Sequence, residues 1–248
     1  MHQTKEVLLL EMMLSFIFAL GFTLIHYFSK YMRFIKAIPR SRFLSAAGGV
    51  AVAYVFIHLL PDLSKHQQVL EEAARPGLFR FLENHAYIIA LLGLALFYGL
   101  EKMVKNSKSS QNDKTSPGVF WIHITSFFLY NSLIGYLLVR EEFESLWGMF
   151  FYFLALAVHF VTNDHSLRKD HQDIYDHYGR WGLTAAILIG WTVGAFVKLE
   201  EVYISLLTAF LAGGIVLNVL KEELPEERKS SFAAFFLGVV GYTALLLV

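Results

Sequence analysis

Apolar residues in this chain fall in long blocks, not in stripes that recur every three or four positions. Eight blocks stand out: Val7–Phe28, Phe43–Leu60, Ala86–Val104, Val119–Val139, Leu146–Val161, Trp181–Val197, Val202–Leu220 and Phe232–Val248. A helix crossing a bilayer core of about 30 Å needs roughly 20 such residues. Backbone groups in lipid must be satisfied within the segment, so helix is the predicted state of each block. The fifth and eighth blocks are short. Between the third and fourth lies a polar run rich in Ser, Asn and Lys, predicted as a flexible cytoplasmic loop over 105–118. The stretch from Asp62 to His85 is long enough for a short extracytoplasmic helix after Pro61, a favoured first-turn residue.

Composition sharpens this into a membrane protein. Of 248 residues, 56% are hydrophobic and 17% charged, where a soluble domain carries about a quarter charged. Charge placement then orients it. An outside N-terminus puts Lys30, Arg33, Lys36, Arg40 and Arg42 in the cytoplasm, with Lys102, Lys105, Lys108, Lys114, Arg168, Lys169, Arg180, Lys221, Arg228 and Lys229. Only Lys5, Lys65, Arg75, Arg80, Arg140 and Lys198 fall outside. This asymmetry predicts eight spans with both termini extracytoplasmic. The first block lacks a basic leader and a small-residue cleavage site, so it is read as a span; the expected location is a bacterial inner membrane. Without cysteine there is no disulfide and no thiolate metal site. Lys+Arg and Asp+Glu are equal at 21 each, so net charge points to no nucleic-acid partner.

One internal repeat is visible. The second span runs from Ala47-Gly48-Gly49 through an apolar helix to Leu60-Pro61-Asp62; the seventh runs from Ala212-Gly213-Gly214 to Leu224-Pro225-Glu226. The predicted topology points them in opposite directions, as in inverted-repeat transporters. The alternative is that glycine pairs are ordinary helix-packing residues and Leu-Pro-acid an ordinary helix end.

The phrase Ile57-His58-Leu59-Leu60-Pro61-Asp62 resembles the end of the second helix in the ZIP family of divalent-metal transporters, and Glu223-Leu224-Pro225-Glu226 the end of its seventh. The resemblance implies an all-α, eight-span, 3+2+3 inverted-repeat bundle forming a single transmembrane domain over 1–248. It also implies a metal site at mid-membrane on spans four and five. There the family pattern is only partly kept. Asn131 and Gly135 fit span four, while Tyr130 and Ile134 replace a His and an acid. His159 and Asp164 fit span five, while Phe160 and Asn163 replace an acid and a second His.

Imidazole and carboxylate suit divalent transition metals, so the candidate ligands are Asn131, His159, Asn163 and Asp164. His159 and Asn163 are four apart and share a helix face. Ionisable residues within a span default to function; the plainer reading is that His159 and Asn131 bond neighbouring helices. His123 lies on the Asn131 face, and a His123–His159 pair would suit an exit path, against a hydrogen-bonded histidine at a helix end. At the outer mouth His58, Asp62 and His66 recur every four residues and would collect a cation before entry, unless they only cap a helix. Asp170, Asp173 and His177 share one face of the segment 164–177; a weak Zn²⁺ site there competes with a solvated juxtamembrane helix.

The expected function is a divergent ZIP-like transporter of a zinc-class divalent ion, using a reduced site around Asn131, His159 and Asp164 fed through His58 and Asp62. The ion is substrate, zinc or another divalent transition metal, and no organic cofactor is expected. The other partners are the lipid bilayer and, as an open option, a second copy of the chain. The alternative is a transport-inactive sensor, scaffold or partner subunit. A metal-dependent intramembrane hydrolase ranks third, because the histidines are scattered and no H-E-x-x-H or G-x-S-x-G motif occurs. The chain is therefore not expected to be an enzyme.

Overall fold

The computed structural model describes residues 2–31, 42–73, 85–112, 114–141, 143, 145–223 and 231–246. Among them the regular structure is entirely helical. Nine α-helices follow in chain order: α1 (His2–Phe28), α2 (Arg42–Tyr54), α3 (Leu60–Ala73), α4 (His85–Ser110), α5 (Pro117–Arg140), α6 (Leu146–Ile174), α7 (Arg180–Phe196), α8 (Glu201–Glu223) and α9 (Phe232–Leu246). Six segments are long and apolar enough to cross a membrane: Leu9–Tyr31, Arg42–Ala73, His85–Ser110, Pro117–Arg140, Leu146–Phe196 and Glu201–Lys221; α9 is a shorter apolar helix. These are the helices of an integral membrane protein. The Leu224-Pro225-Glu226 end of the repeat lies outside the described residues, as do Arg33, Lys36, Arg40, Arg75, Arg80, Arg228 and Lys229.

Two segments differ from the prediction in an informative way. The helix after Pro61 is present, but it continues from α2 through a π-turn at Val55–Leu59 instead of starting afresh. Leu60 N–H donates to Val55 O across this wider turn. The extra residue moves the preceding turn away from the proline ring, which brings no donor of its own. At the other segment, α4 persists to Ser110, well into the predicted loop, and stops with Asn112 in the left-handed region at φ 49°. Asparagine tolerates that geometry at a helix end.

The chain divides into two compact units: Met1–Met32 with Ile124–Lys198, and Arg33–His123 with Leu199–Val248. In the first, α6 runs parallel to α1, since Phe18 stacks on Phe153, Phe22 meets Phe160 edge to face, and His26 reaches Asp164. In contrast α7 is antiparallel to α1: Trp191 Nε1 donates to Ser15 Oγ, and Arg180 Nη1 donates to Tyr27 O. The continuous helical segment 146–196 therefore reverses direction. The break sits at Gln172 (φ 52°, ψ −127°), followed by a second π-turn at Tyr175–Gly179. Along α5, Gly135 and Gly190 allow its backbone and that of α7 to touch: a methyl on Gly190 would land on Ser132 O. Small residues permit such approach, and in lipid the resulting packing holds helices together.

The second unit repeats that device twice. Gly213 of α8 lies against the backbone of Ala90 and Leu94, and Gly93 of α4 against Phe210. Gly49 of α2 meets Phe235, and Gly238 of α9 meets Ala46. Contacts advance together along α4 and α8, ending at a Lys221–Glu101 ion pair of 2.6 Å, so these helices are parallel. Likewise α2 and α9 run parallel, beginning where Ser231 N–H donates to Ser45 Oγ. The α2–α3 rod runs the other way, because His66 near its end bonds Ser205 at the start of α8 and Gln67 Oε1 accepts from Ala86 N–H at the start of α4.

Candidate functional site

Apolar packing leaves a small set of ionisable side chains inside the first unit, and they converge. His26 on α1 is fully buried, and Asp164 on α6 is 1% exposed. The imidazole Nδ1 lies 2.9 Å and 3.0 Å from the two oxygens of Asp164. Nε2 lies 3.0 Å from Asn131 Oδ1 on α5, and the same amide donates from Nδ2 to Phe127 O at 2.7 Å. That second bond fixes the amide orientation, so Asn131 presents only an acceptor to the ring. Both imidazole nitrogens thus face acceptors, a carboxylate at Nδ1 and an amide oxygen at Nε2. Tyr175, also fully buried, donates its hydroxyl to Asp164 Oδ1 at 2.7 Å. The result is a hydrogen-bonded chain Tyr175–Asp164–His26–Asn131, drawn from α1, α5, α6 and the π-turn before α7. In hydrocarbon each link matters, because an unmet polar group has no water to turn to.

The ring of Phe160 packs on His26 with centroids 4.7 Å apart, giving the pair an apolar wall. Beyond Tyr175, Arg168 donates to Asp176 at 2.8 Å and to Lys30 O at 3.0 Å. Arg180, buried at the same end, donates to Tyr27 O and lies 4.8 Å from the Trp181 ring centroid. Two guanidinium groups thereby serve carbonyls at the end of α1 and in the 3₁₀ turn Ser29–Tyr31 that follows it, where cations are favoured by the helix dipole.

Of the predicted ligands, Asn131 and Asp164 meet, but through His26 and not directly. His159 is buried and bonds Tyr130 Oη through Nε2 at 3.1 Å. Asn163, 4% exposed, has a buried Nδ2 with no hydrogen-bond partner. His58 and Asp62 do pair, at 3.1 Å, with Lys65 3.2 Å from the other Asp62 oxygen. His123 approaches Glu101 at 3.7 Å in the second unit. On the Asp173–His177 face, His177 Nδ1 donates to the backbone oxygen of Asp173. Among the described residues no three His, Cys, Asp or Glu side chains gather into a metal-holding group.

Sequence reasoning missed His26, Tyr175 and the Glu101–Lys221 pair. A signal existed for His26, a lone ionisable residue inside the first apolar block. Nothing in local spacing signalled its partner, 138 residues away. Compared with protein-family models, with curated proteins and with solved structures, the chain matches none.

Proposed function

We propose that this chain is a divergent ZIP-like membrane transporter of a zinc-class divalent cation, with eight crossings and a central site formed by Asp164, His26 and Asn131. The carrying observation is the buried His26–Asp164 pair, a carboxylate and an imidazole brought together from two helices inside a membrane protein. Such pairs in spans mark ion or proton pathways. Their donor atoms lie 2.9–3.0 Å apart. Bonds of about 2.1 Å to Zn²⁺ put tetrahedral neighbours about 3.4 Å apart, so an ion entering here parts the pair by about 0.4–0.5 Å and takes the place of the hydrogen between them. Tyr175 offers a further oxygen on the Asp164 side, while Asn131 orients the ring through its far nitrogen. The pair His58–Asp62 collects the ion at the outer mouth.

Helix directions support the eight crossings. Counting 146–196 as two and α9 as the eighth, odd-numbered crossings within each unit run one way and even-numbered ones the other. The contact α2–α9 has its counterpart in α8–α4, as an inverted repeat of the first three spans onto the last three requires. In both contacts a glycine of an Ala-Gly-Gly motif meets the partner backbone, the second glycine in α2 (Gly49) and the first in α8 (Gly213), and a partner glycine returns the contact. With the Lys- and Arg-rich loops inside, the termini face outward, in keeping with a bacterial inner membrane.

Zinc uptake by proteoliposomes tests this. Saturable flux is expected from the parent protein, and Asp164→Asn should lower it by about tenfold or more. His159→Ala should lower it less, since His159 bonds Tyr130. A transport-inactive sensor or scaffold is the second reading, favoured by the closed network in which His26, Asp164 and Asn131 already satisfy one another. No flux above empty liposomes, from protein with intact helix content, would decide for it.

A further inference from the structure

The turn between α6 and α7 has features that neither packing nor the ion pair itself requires. Gln172 is an exposed, non-glycine residue held at φ 52° and ψ −127°. Side chains rarely adopt that backbone geometry, and residues held there concentrate in switch segments. Three residues on, the π-turn Tyr175–Gly179 begins, closed by Arg180 N–H donating to Tyr175 O. π-turns recur at functional sites. Gly179 makes room for the Tyr175 ring, since any Cβ there would strike it. The ring is thereby swung under Asp164, where its hydroxyl bonds Oδ1. The next residue, Asp176, is held from outside the site by Arg168, yet its buried Oδ1 has no partner.

We propose that residues 172–179 form a strap that closes this end of the Asp164 site, with Tyr175 as the positioning residue that holds the carboxylate when the strap is shut. Strain at Gln172 favours release. Polar contacts oppose it, among them Tyr175 on Asp164, Arg168 on Asp176, and Arg180, which bridges the Asp176 carbonyl to Tyr27 O. When they part, Tyr175 swings out and Asp164 is reached from the α6–α7 end. The strap rests on the reading of Asp164 as the centre of the site and names the element that controls access to it.

The absence of cysteine makes the test direct. Ser29→Cys is nearly isosteric and places a thiol beside Tyr175, at a position 7% exposed. Its reaction with a membrane-impermeant maleimide should be slow in the parent, in the absence of any metal. Losing one polar contact by Asp176→Asn or by Tyr175→Phe should speed it by about tenfold. Leu156→Cys, fully buried further along α6, should stay unreactive in every background. Three results overturn the strap: rapid labelling in the parent, rates indifferent to both variants, or Leu156→Cys rising in step. The labelling needs no zinc, so it separates the two readings. A strap that opens in a protein without zinc flux overturns only the transport reading. Zinc flux with labelling indifferent to both variants overturns only the strap.

Discussion

Asp164→Leu should cost the folded protein about 3–5 kcal/mol, because it leaves His26 buried without its carboxylate. The imidazole is fully buried, and its remaining neighbours are the Asn131 oxygen and the Phe160 ring. Its Nδ1 is then left without a partner. The double variant His26→Leu/Asp164→Leu should regain most of that stability, since removing both partners of a buried pair in favour of apolar packing is often neutral or better. Tyr175 and Asn131 each lose one bond in the double variant, so recovery is incomplete. Thermal unfolding in detergent, followed by helix content, measures both. A double variant no more stable than the single would mean that the cost does not come from leaving His26 buried without its carboxylate. Zinc uptake should be absent from both, which separates the site's chemistry from its structural role.

Gly213→Ala and Gly190→Ala should be nearly as damaging, although each adds only a methyl group. In both cases the new Cβ would land on a carbonyl oxygen of the neighbouring helix, Ala90 O or Ser132 O. Backbone cannot rotate aside as a side chain can, so α8 must draw back from α4, or α7 from α5, along several turns. Overpacking of this kind costs about 1–3 kcal/mol, occasionally more, and parallel loss of the Lys221–Glu101 pair would add to it for Gly213. Gly99→Ala is the matched control. It lies on α4 with nothing within 4 Å of its would-be Cβ, and alanine there should be neutral or slightly stabilising through helix propensity. Yield of monodisperse protein on size exclusion ranks the three. A Gly213→Ala protein as robust as Gly99→Ala would show that α4 and α8 tolerate separation.

Much of this architecture was legible because lipid leaves the backbone no option but helix. The apolar blocks mark where helices lie, and the Ala-Gly-Gly pair marks where two of them press against neighbours. The polar run from Asp164 to Arg180 was not legible in the same way. Read locally, four aspartates and three histidines suggest a solvated helix, yet Asp164, His171, Tyr175, Asp176 and Arg180 are buried. Their burial depends on partners that hydropathy cannot see: His26 for Asp164, Arg168 for Asp176, and the end of α1 for Arg180. The site was half legible for the same reason. Asn131 and Asp164 carry a pattern in sequence, whereas His26 acquires meaning only once α1 lies against α6. Tyr175 depends on a backbone reversal at Gln172 that no glycine or proline announces.

The first unit is discontinuous in sequence, and this has a consequence for how the protein is made. His26 enters the bilayer 138 residues before its partner Asp164 has been synthesised. At about 5–20 residues per second the wait is about 7–28 s. During that interval α1 is a helix with an unmatched imidazole, and its final carbonyls still lack the arginines that come with the α6–α7 turn. The nascent chain should therefore hold α1 loosely, sheltered by the insertion machinery, until the ribosome has passed Arg180 and His26 can meet Asp164.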